Sequence, residues 1–412
     1  MNTPDIVIIG AGVIGLTAAL QIRRRSSASI TVLEKANSLG QGSTGASVAV
    51  LRHRYSLNNT IRLARDGVHA YREWSAFTQL TEPMAQFERA QVLWMTGGEK
   101  GWAEKESSRL KRLNIDAAVL DDQTLSEQFP AISTCTLNAD TDTGETHICQ
   151  GGGAHLLELD AGYTDPMAVM RDLFDACKQH DVNVRFNSEV TGIEQSSGRT
   201  TGVQLADGRR FSSAVIINAA GPWCMHINKA ADISMPFKLT PTRIQVLYID
   251  LPDEVARPLP VCVDPGGTYF RPQSRAQQLV VGSTLEEDEN EIITDPDRFD
   301  MEPDEAFKMK ILHRLHHRLP DLPYRGKIHG YCGLYTINRA DVHPIVGQTE
   351  LKGFYVANGF SGHGFKLAPA IGSLLAREIT GLSSEFDTHV DREFLSIDRA
   401  PLITSGEKSV LA

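Results

Sequence analysis

Gly10-Ala11-Gly12-Val13-Ile14-Gly15 follows the apolar run Asp5-Ile6-Val7-Ile8-Ile9 and leads into a helical stretch. An apolar strand, a tight glycine turn and a helix N-terminus together bring free backbone amides against a pyrophosphate. Glu34 ends the second strand, Ser29-Ile30-Thr31-Val32-Leu33-Glu34. It stands roughly 20 residues on, where a carboxylate accepts hydrogen bonds from the ribose hydroxyls of an adenosine. The same charge would repel a 2′-phosphate. A second glycine-rich loop lies near the other end of the chain, where the strand Gly353-Phe354-Tyr355-Val356-Ala357-Asn358 runs into Gly359-Phe360-Ser361-Gly362-His363-Gly364-Phe365-Lys366 and a helix over about 367–380. The start of that helix offers free amides and the positive end of a dipole. Two such loops suit an extended cofactor, with adenosine at Glu34 and, at the far end, a ring that is negatively charged when reduced. FAD fits that description, whereas NAD has no use for the second loop.

Stepping along the chain, the elements that hold these loops read as an α/β fold. A chain of 412 residues exceeds the size at which one core stops growing, so about two domains are expected. Asn58 and Asn59 can cap a long amphipathic helix to about Phe77, and residues from about 85 to 160 alternate strand pieces with a charged helix near 100–113. A helix over 166–179, a hairpin around Ala206-Asp207-Gly208 and the buried strand Ala214-Val215-Ile216-Ile217-Asn218 return to the first texture. That strand ends in small residues, Ala219-Ala220-Gly221-Pro222-Trp223, as expected where open α/β sheets bind ligands. From about 235 to 330 the pattern is antiparallel, with an acidic loop at 286–291 and a helix over 304–319 that buries Phe307, Ile311, Leu315 and Leu319. A Rossmann-like cofactor domain of residues 1–85, 160–230 and 330–385 is therefore expected, with a mixed-sheet α+β substrate domain of 86–159 and 231–329. The tail 386–412 reads as a frayed extension.

Bulk properties narrow the partners. The net charge of −10 disfavours nucleic acid, which needs clustered Lys and Arg. No apolar run reaches the roughly 20 residues that span a bilayer, and the N-terminus lacks a signal-peptide pattern, so the chain reads as cytoplasmic. Peripheral membrane docking and a partner subunit are compatible with it. The six cysteines, at 135, 149, 177, 224, 262 and 332, never form CxxC and read as packed thiols, with no metal site. His313, His316 and His317 lie off the apolar stripe of their helix and read as surface residues.

The chain resembles the D-amino acid oxidase superfamily of FAD enzymes, in the branch of the sarcosine oxidases, glycine oxidase and the sarcosine oxidase β-subunit. The similarity runs from residue 5 to about 381 and is carried by GAGVIG, by Asn218-Ala219-Ala220-Gly221-Pro222-Trp223 and by Gly359–Lys366, with Gly333-Leu334-Tyr335-Thr336 and Pro344-Ile345-Val346-Gly347 before the last loop. It implies FAD contacts at Gly10, Gly12, Val13, Ile14, Gly15, Glu34, Lys35, Ser43, Thr44, Ser47, Val190, Ala220, Gly221, Trp223, Gly333, Gly362, His363, Gly364, Phe365 and Lys366. It also implies a substrate carboxylate held by Arg52 and Lys366, with Tyr269 lining the substrate and His363 beside the flavin. Two convergent cations repel unless an anion joins them. Val280 stands where the family's oxygen-activating lysine falls, which favours a dehydrogenase passing electrons to a quinone or protein over use of O2. Gly333 replaces a cysteine that bonds the flavin, and strand alternation points Cys332 to the other face, so FAD is expected to be non-covalent.

The implied reaction is oxidation of the Cα–N bond of a small amino acid or N-substituted amino acid. Hydride would pass from the neutral amine to flavin N5, and the imine would hydrolyse, with no dedicated base. Two other readings stay open. A 2-hydroxy acid dehydrogenase would use the same clamp with His53 as base, and a non-catalytic flavoprotein subunit or assembly factor would keep FAD for structure.

Overall fold

The computed structural model describes residues 3–402 apart from 98, 142, 274–276 and 324–327. The expected tail is thus described only to residue 402. Four β-branched or leucine side chains in a row make Ile6–Ile9 a buried central strand, paired in parallel with Ile30–Leu33 on one side and Val215–Asn218 on the other. Asn183–Arg185 and Phe354–Asn358 extend this sheet in parallel, and Ile345–Gln348 closes it as an antiparallel sixth strand. Helices Val13–Arg25, Asn58–Arg72 and Gly364–Thr380 pack together over it. A three-stranded antiparallel meander, Val190–Ser196, Arg199–Leu205 and Arg210–Ser212, stands beside it.

The second layer is an eight-stranded sheet. Its order is His329–Asn338, Leu239–Asp250, Gln278–Ser283, Thr268–Gln273, Val261–Val263, Val92–Trp94, Ala154–Glu158 and Ala117–Asp121. Its first strand reaches Asn338, beyond the boundary expected at 330. One face buries Leu247, Phe270, Leu279 and Val281 under Phe307, Ile311 and Leu315 of helix Glu305–Arg318. By period-2 alternation the other face carries Tyr248, Tyr269, Arg271, Val280, Tyr331 and Tyr335.

Several expected elements shift for identifiable reasons. The helix from Asn58 ends at Arg72 and restarts as Trp74–Thr78, because Asp172 takes the Trp74 indole N–H at 2.8 Å and turns the chain at Glu73. The last helix starts at Gly364, three residues before the expected start. The acidic loop forms a short 3-10 turn, Glu286–Glu289, in which Glu289 is buried. The tail to residue 402 is not frayed: Phe386, Val390, Leu395 and Ile397 are buried, and Arg399 pairs with the buried Asp341. Among the described residues no helix is long and apolar enough to cross a membrane.

Candidate active site

The turn after Ile9 depends on two close approaches. Gly10 has φ +104°, and a Cβ there would stand 2.5 Å from the Ala219 carbonyl oxygen. A Cβ on Gly15 would overlap the Gly10 carbonyl oxygen, so the helix can begin hard against the turn only because both are glycine. Gly12, the N-cap, supplies no side-chain acceptor. Thr44 does so instead, its Oγ1 accepting from the Val13 N–H at 3.1 Å. Glu34 accepts the Ala11 and Ala36 N–H groups at 2.9 Å, one on each carboxylate oxygen.

These residues open on a cavity of about 400 Å³. Its walls hold Gly10, Gly12, Val13, Ile14, Glu34, Lys35, Ser43, Thr44, Ser47, Val190, Ala220, Gly221, Trp223, Gly362, Gly364 and Phe365. Strand ends from distant stretches are brought to one rim by a buried asparagine trio. Asn218 Nδ2 donates to Asn228 Oδ1 at 2.7 Å, Asn228 Nδ2 donates to Asn358 Oδ1 at 3.0 Å, and Asn358 Nδ2 donates to the Asn218 carbonyl at 2.9 Å. Segment 42–46 is stitched across the eight-stranded sheet by Ser43 Oγ donating to the Leu334 carbonyl at 2.5 Å and by the Tyr331 hydroxyl donating to the Ala46 carbonyl at 2.9 Å. Gly333 lies beneath that crossing, where a Cβ would stand 2.6 Å from Ala46 Cβ. Gly15 and Gly333 therefore serve packing and stand off the cavity wall. Asp297 and His226 also line the wall and escape sequence reasoning, as does the site role of Tyr335 and Thr336 within the motif Gly333–Thr336; Asp297 is fixed by Lys35 Nζ at 2.6 and 2.7 Å.

The cavity fits an adenine dinucleotide with a charged ring. Glu34 marks one end, amides of the helix beginning at Gly364 mark the other, and the Trp223 indole N–H is buried with no acceptor among the described residues.

Next to this cavity is a cluster of cations on aromatic rings. Arg52 and Lys366 are both buried. The Arg52 guanidinium lies 4.1 Å from the centre of the Tyr55 ring and 5.2 Å from that of Trp94, and donates to the Arg54 carbonyl. Lys366 Nζ stands 6.0 Å from the same Tyr55 ring. Burial, and then repulsion from Arg52, hold the Lys366 ammonium well below its ordinary value of 10.5. No carboxylate pairs with Lys366 among the described residues. His363 occupies the N-cap position of helix Gly364–Thr380 and packs edge-on to Tyr55 with ring centres 5.1 Å apart; its neighbours Gly362 and Gly364 line the cavity and it does not. Tyr335 joins the two halves: it lines the cavity and lies within electrostatic reach of Arg52 and Tyr55, as it does of Tyr269. Tyr269 lies across Gly282 on the sheet face, where burial raises its hydroxyl well above 10.0.

Behind Arg52, Glu158 is fully buried and accepts four hydrogen bonds. His53 N–H (2.6 Å), His53 Nδ1 (2.9 Å), Arg54 N–H (3.1 Å) and Trp94 Nε1 (2.7 Å) all donate to it. Burial alone would raise this carboxyl, but its donors, His53 foremost, hold it below the ordinary carboxylate value. Glu158 thereby sets the backbone on both sides of Arg52's neighbour His53, a role no local pattern reveals. Glu158→Gln should leave at least one donor unmatched and cost about 1–3 kcal/mol, which thermal unfolding would measure.

Tyr55 also escapes sequence reasoning. Its hydroxyl is buried without a hydrogen-bond partner among the described residues, and burial pushes it up to about 12. Tyr55→Phe should leave stability unchanged or raise it by about 1 kcal/mol. A rise in substrate KM with that substitution would mark the hydroxyl as a substrate donor.

The sulfur groups divide. Cys177, Cys224 and Cys262 are buried, and burial pushes each thiol up, to about 12 in Cys177 and Cys224. Cys332 is buried on the face that carries Arg243 and Asp304, away from the cavity. Cys135 and Cys149 meet in space, and His317 is half-buried beside them rather than at the surface.

Comparison with known proteins bears on the fold and the family. The chain is 25% identical, over 98% of its length and 86% of the relative's, to FAD-dependent oxidoreductase domain-containing protein 1 of Bos taurus. L-proline dehydrogenase from P. horikoshii superposes with a TM-score of 0.78 at 20% identity, over 96% of this chain and 97% of that one. Glycine oxidase from Geobacillus kaustophilus gives 0.78 at 18% identity, over 97% and 100%. The family model of the FAD-dependent oxidoreductases, DAO, matches residues 5–378, and the chain belongs to that family.

Proposed function

We propose that the protein oxidises the Cα–N bond of a small amino acid or N-substituted amino acid that carries a free carboxylate. The observation behind this reading is the pair of buried cations, Arg52 and Lys366, whose charged ends lie 4.1 and 6.0 Å from the centre of the same Tyr55 ring. Two like charges buried together are costly until an anion joins them. A carboxylate answers that need, and Phe365, next in sequence to Lys366, lines the neighbouring cavity. FAD would be held non-covalently along Gly10–Ile14, Glu34, Gly362, Gly364 and Phe365 and would supply the two-electron acceptor.

The chain's own contribution is orientation and exclusion of water. Arg52 and Lys366 hold the carboxylate, and Tyr269 and Tyr335 wall the substrate from the sheet side. The amine must arrive neutral, and no side chain is needed to take its proton. Because an anion stabilises charged Lys366, kcat/KM should fall as pH rises through the lowered Lys366 pKa, below 10.5. The amine's own deprotonation gives the opposite, rising limb. In Lys366→Met the falling limb should vanish while kcat/KM is lower throughout, which a pH profile of both proteins would check.

Val280 supports a dehydrogenase, since it offers no charge to assist O2; a quinone or protein acceptor then takes the electrons. Its cross-strand neighbour Arg271 is a buried guanidinium held at the Val48 carbonyl at 2.7 Å, so that strand pair is not without a cation. The 2-hydroxy acid reading draws on His53, whose Nδ1 sits on the buried Glu158 as in a general base. The other three donors to Glu158 favour an anchoring role instead.

The test is anaerobic titration of the purified flavoprotein with D-amino acids, N-methyl amino acids, cyclic imino acids and hydroxy acids. Bleaching of the visible flavin band by an amine acid is the expected result. Bleaching by a hydroxy acid alone would overturn the substrate class, and bleaching by none would leave a non-catalytic subunit or assembly factor. Slow recovery of colour in air is expected for a dehydrogenase, and fast recovery would reverse that assignment. Acid precipitation should release all the flavin into the supernatant, whereas retention in the pellet would demand a covalent bond.

A further inference from the structure

The long connection between helix Asp122–Gln128 and strand Ala154–Glu158 has no regular secondary structure among its described residues. Connections of this length without structure are uncommon in a compact fold unless something holds them. Backbone pairing does part of that work. Thr136 N–H donates to the Gln150 carbonyl at 2.8 Å, and Ser133 N–H donates to the Arg318 carbonyl at 2.9 Å. The first pairing sets Cys135 beside Cys149, and the second lays the connection along the last turn of helix Glu305–Arg318, which carries His317.

Four soft or borderline ligand atoms converge there. Cys135, His147, Cys149 and His317 each present one donor atom, and all four lie within 4.8 Å of one another. Cys135 Sγ is 3.3 Å from His147 Nε2, and His147 Nε2 is 3.1 Å from His317 Nε2. A tetrahedral zinc ion with Zn–S near 2.3 Å and Zn–N near 2.0–2.1 Å requires ligand-to-ligand edges of about 3.3–3.8 Å. Two imidazole nitrogens this close either share one proton or, when both are deprotonated, turn their lone pairs to one metal cation.

We propose that Cys135, His147, Cys149 and His317 bind a structural zinc ion that fastens the 129–153 connection to helix Glu305–Arg318. Two thiolates and two imidazoles form a closed set with no open position, so the ion is structural rather than catalytic. The thiolates exclude magnesium and calcium, which take oxygen ligands. None of the four residues lines the cofactor cavity, so the site is separate from the flavin chemistry. Sequence reading passed over it because the pattern lacks CxxC: His147-Ile148-Cys149 is local, but Cys135 and His317 arrive only through the fold.

The experiment is metal analysis of the full-length, flavin-loaded protein after gel filtration, joined with zinc-edge X-ray absorption. About one zinc per chain is expected, with two sulfur neighbours near 2.3 Å and two nitrogen neighbours near 2.0–2.1 Å. Cys149→Ser and His317→Ala should each lower the zinc content at least about tenfold. Cys332→Ser, outside the cluster, should leave it unchanged. Each variant's flavin spectrum reports whether the chain has folded, because the flavin pocket does not touch the cluster. A zinc-free wild-type protein, whether its Cys135 and Cys149 are free or joined in a disulfide detected by intact mass, would overturn the proposal. So would zinc retained in a folded Cys149→Ser variant, or a coordination shell of oxygen alone.

Discussion

Arg52→Ala is expected to raise the KM for an amine acid about 10²- to 10³-fold while flavin content stays unchanged. A charge-assisted contact to a carboxylate, once truncated in a buried setting, costs about 3–4 kcal/mol, and each 1.4 kcal/mol is a factor of ten. The guanidinium is fixed beforehand by the Tyr55 and Trp94 rings and by the Arg54 carbonyl, so little entropy is lost on binding. Arg52→Lys should recover only part of the loss, because an ammonium neither stacks nor grips both carboxylate oxygens. Removing Arg52 also lifts the repulsion on Lys366, so the falling limb of the pH profile should move to higher pH in Arg52→Ala. Steady-state kinetics across pH would read both effects, and an unchanged KM would remove Arg52 from the site.

The second large effect is expected from Gly10→Ala. The methyl group would meet the Ala219 carbonyl, in the turn following the neighbouring strand, while forcing an alanine to φ +104°. Strain and overlap together cost about 2–4 kcal/mol, and relief requires opening the turn whose amides would face the pyrophosphate of bound FAD. The flavin-to-protein ratio should fall at least about tenfold and the unfolding temperature should drop with it. Gly101→Ala is the control. Gly101 has φ +76° but nothing within 4 Å of its would-be Cβ, so that variant should keep its flavin and lose about 1 kcal/mol at most. Equal flavin loss in both variants would mean that backbone strain alone, and not the cradle, sets cofactor affinity.

The cofactor half of the site was legible because its signals are local. Asp165-Pro166 announces a helix start, and in the structure Asp165 accepts the Ala168 N–H at 2.8 Å and Pro166 opens the helix. Gly10, Gly15 and Glu34 likewise work within one strand–turn–helix–strand unit. For the proposed substrate half, only the resemblance pointed to Arg52 and Lys366, which the structure buries near the same Tyr55 ring. Tyr55, Tyr331 and Tyr335 needed the register of the eight-stranded sheet and the path of segment 42–55, which no periodicity encodes. Glu158 belongs to the same class, since its donors come from residues 53, 54 and 94. The tail misled because Phe386, Val390, Leu395 and Ile397 are single apolar anchors without a repeating period.

The asparagine trio that ties Asn218 and Asn228 to Asn358 has a consequence for how the protein is made. The central strand Ile6–Ile9 leaves the ribosome well before Asn358, so its cradle lacks Asn358 and the wall of Gly362, Gly364 and Phe365 until that later stretch is synthesised. Contacts spanning such distances form late. Until then the nucleotide cradle is unfinished, so flavin loading is expected to follow, and not to precede, synthesis of the Asn358 stretch.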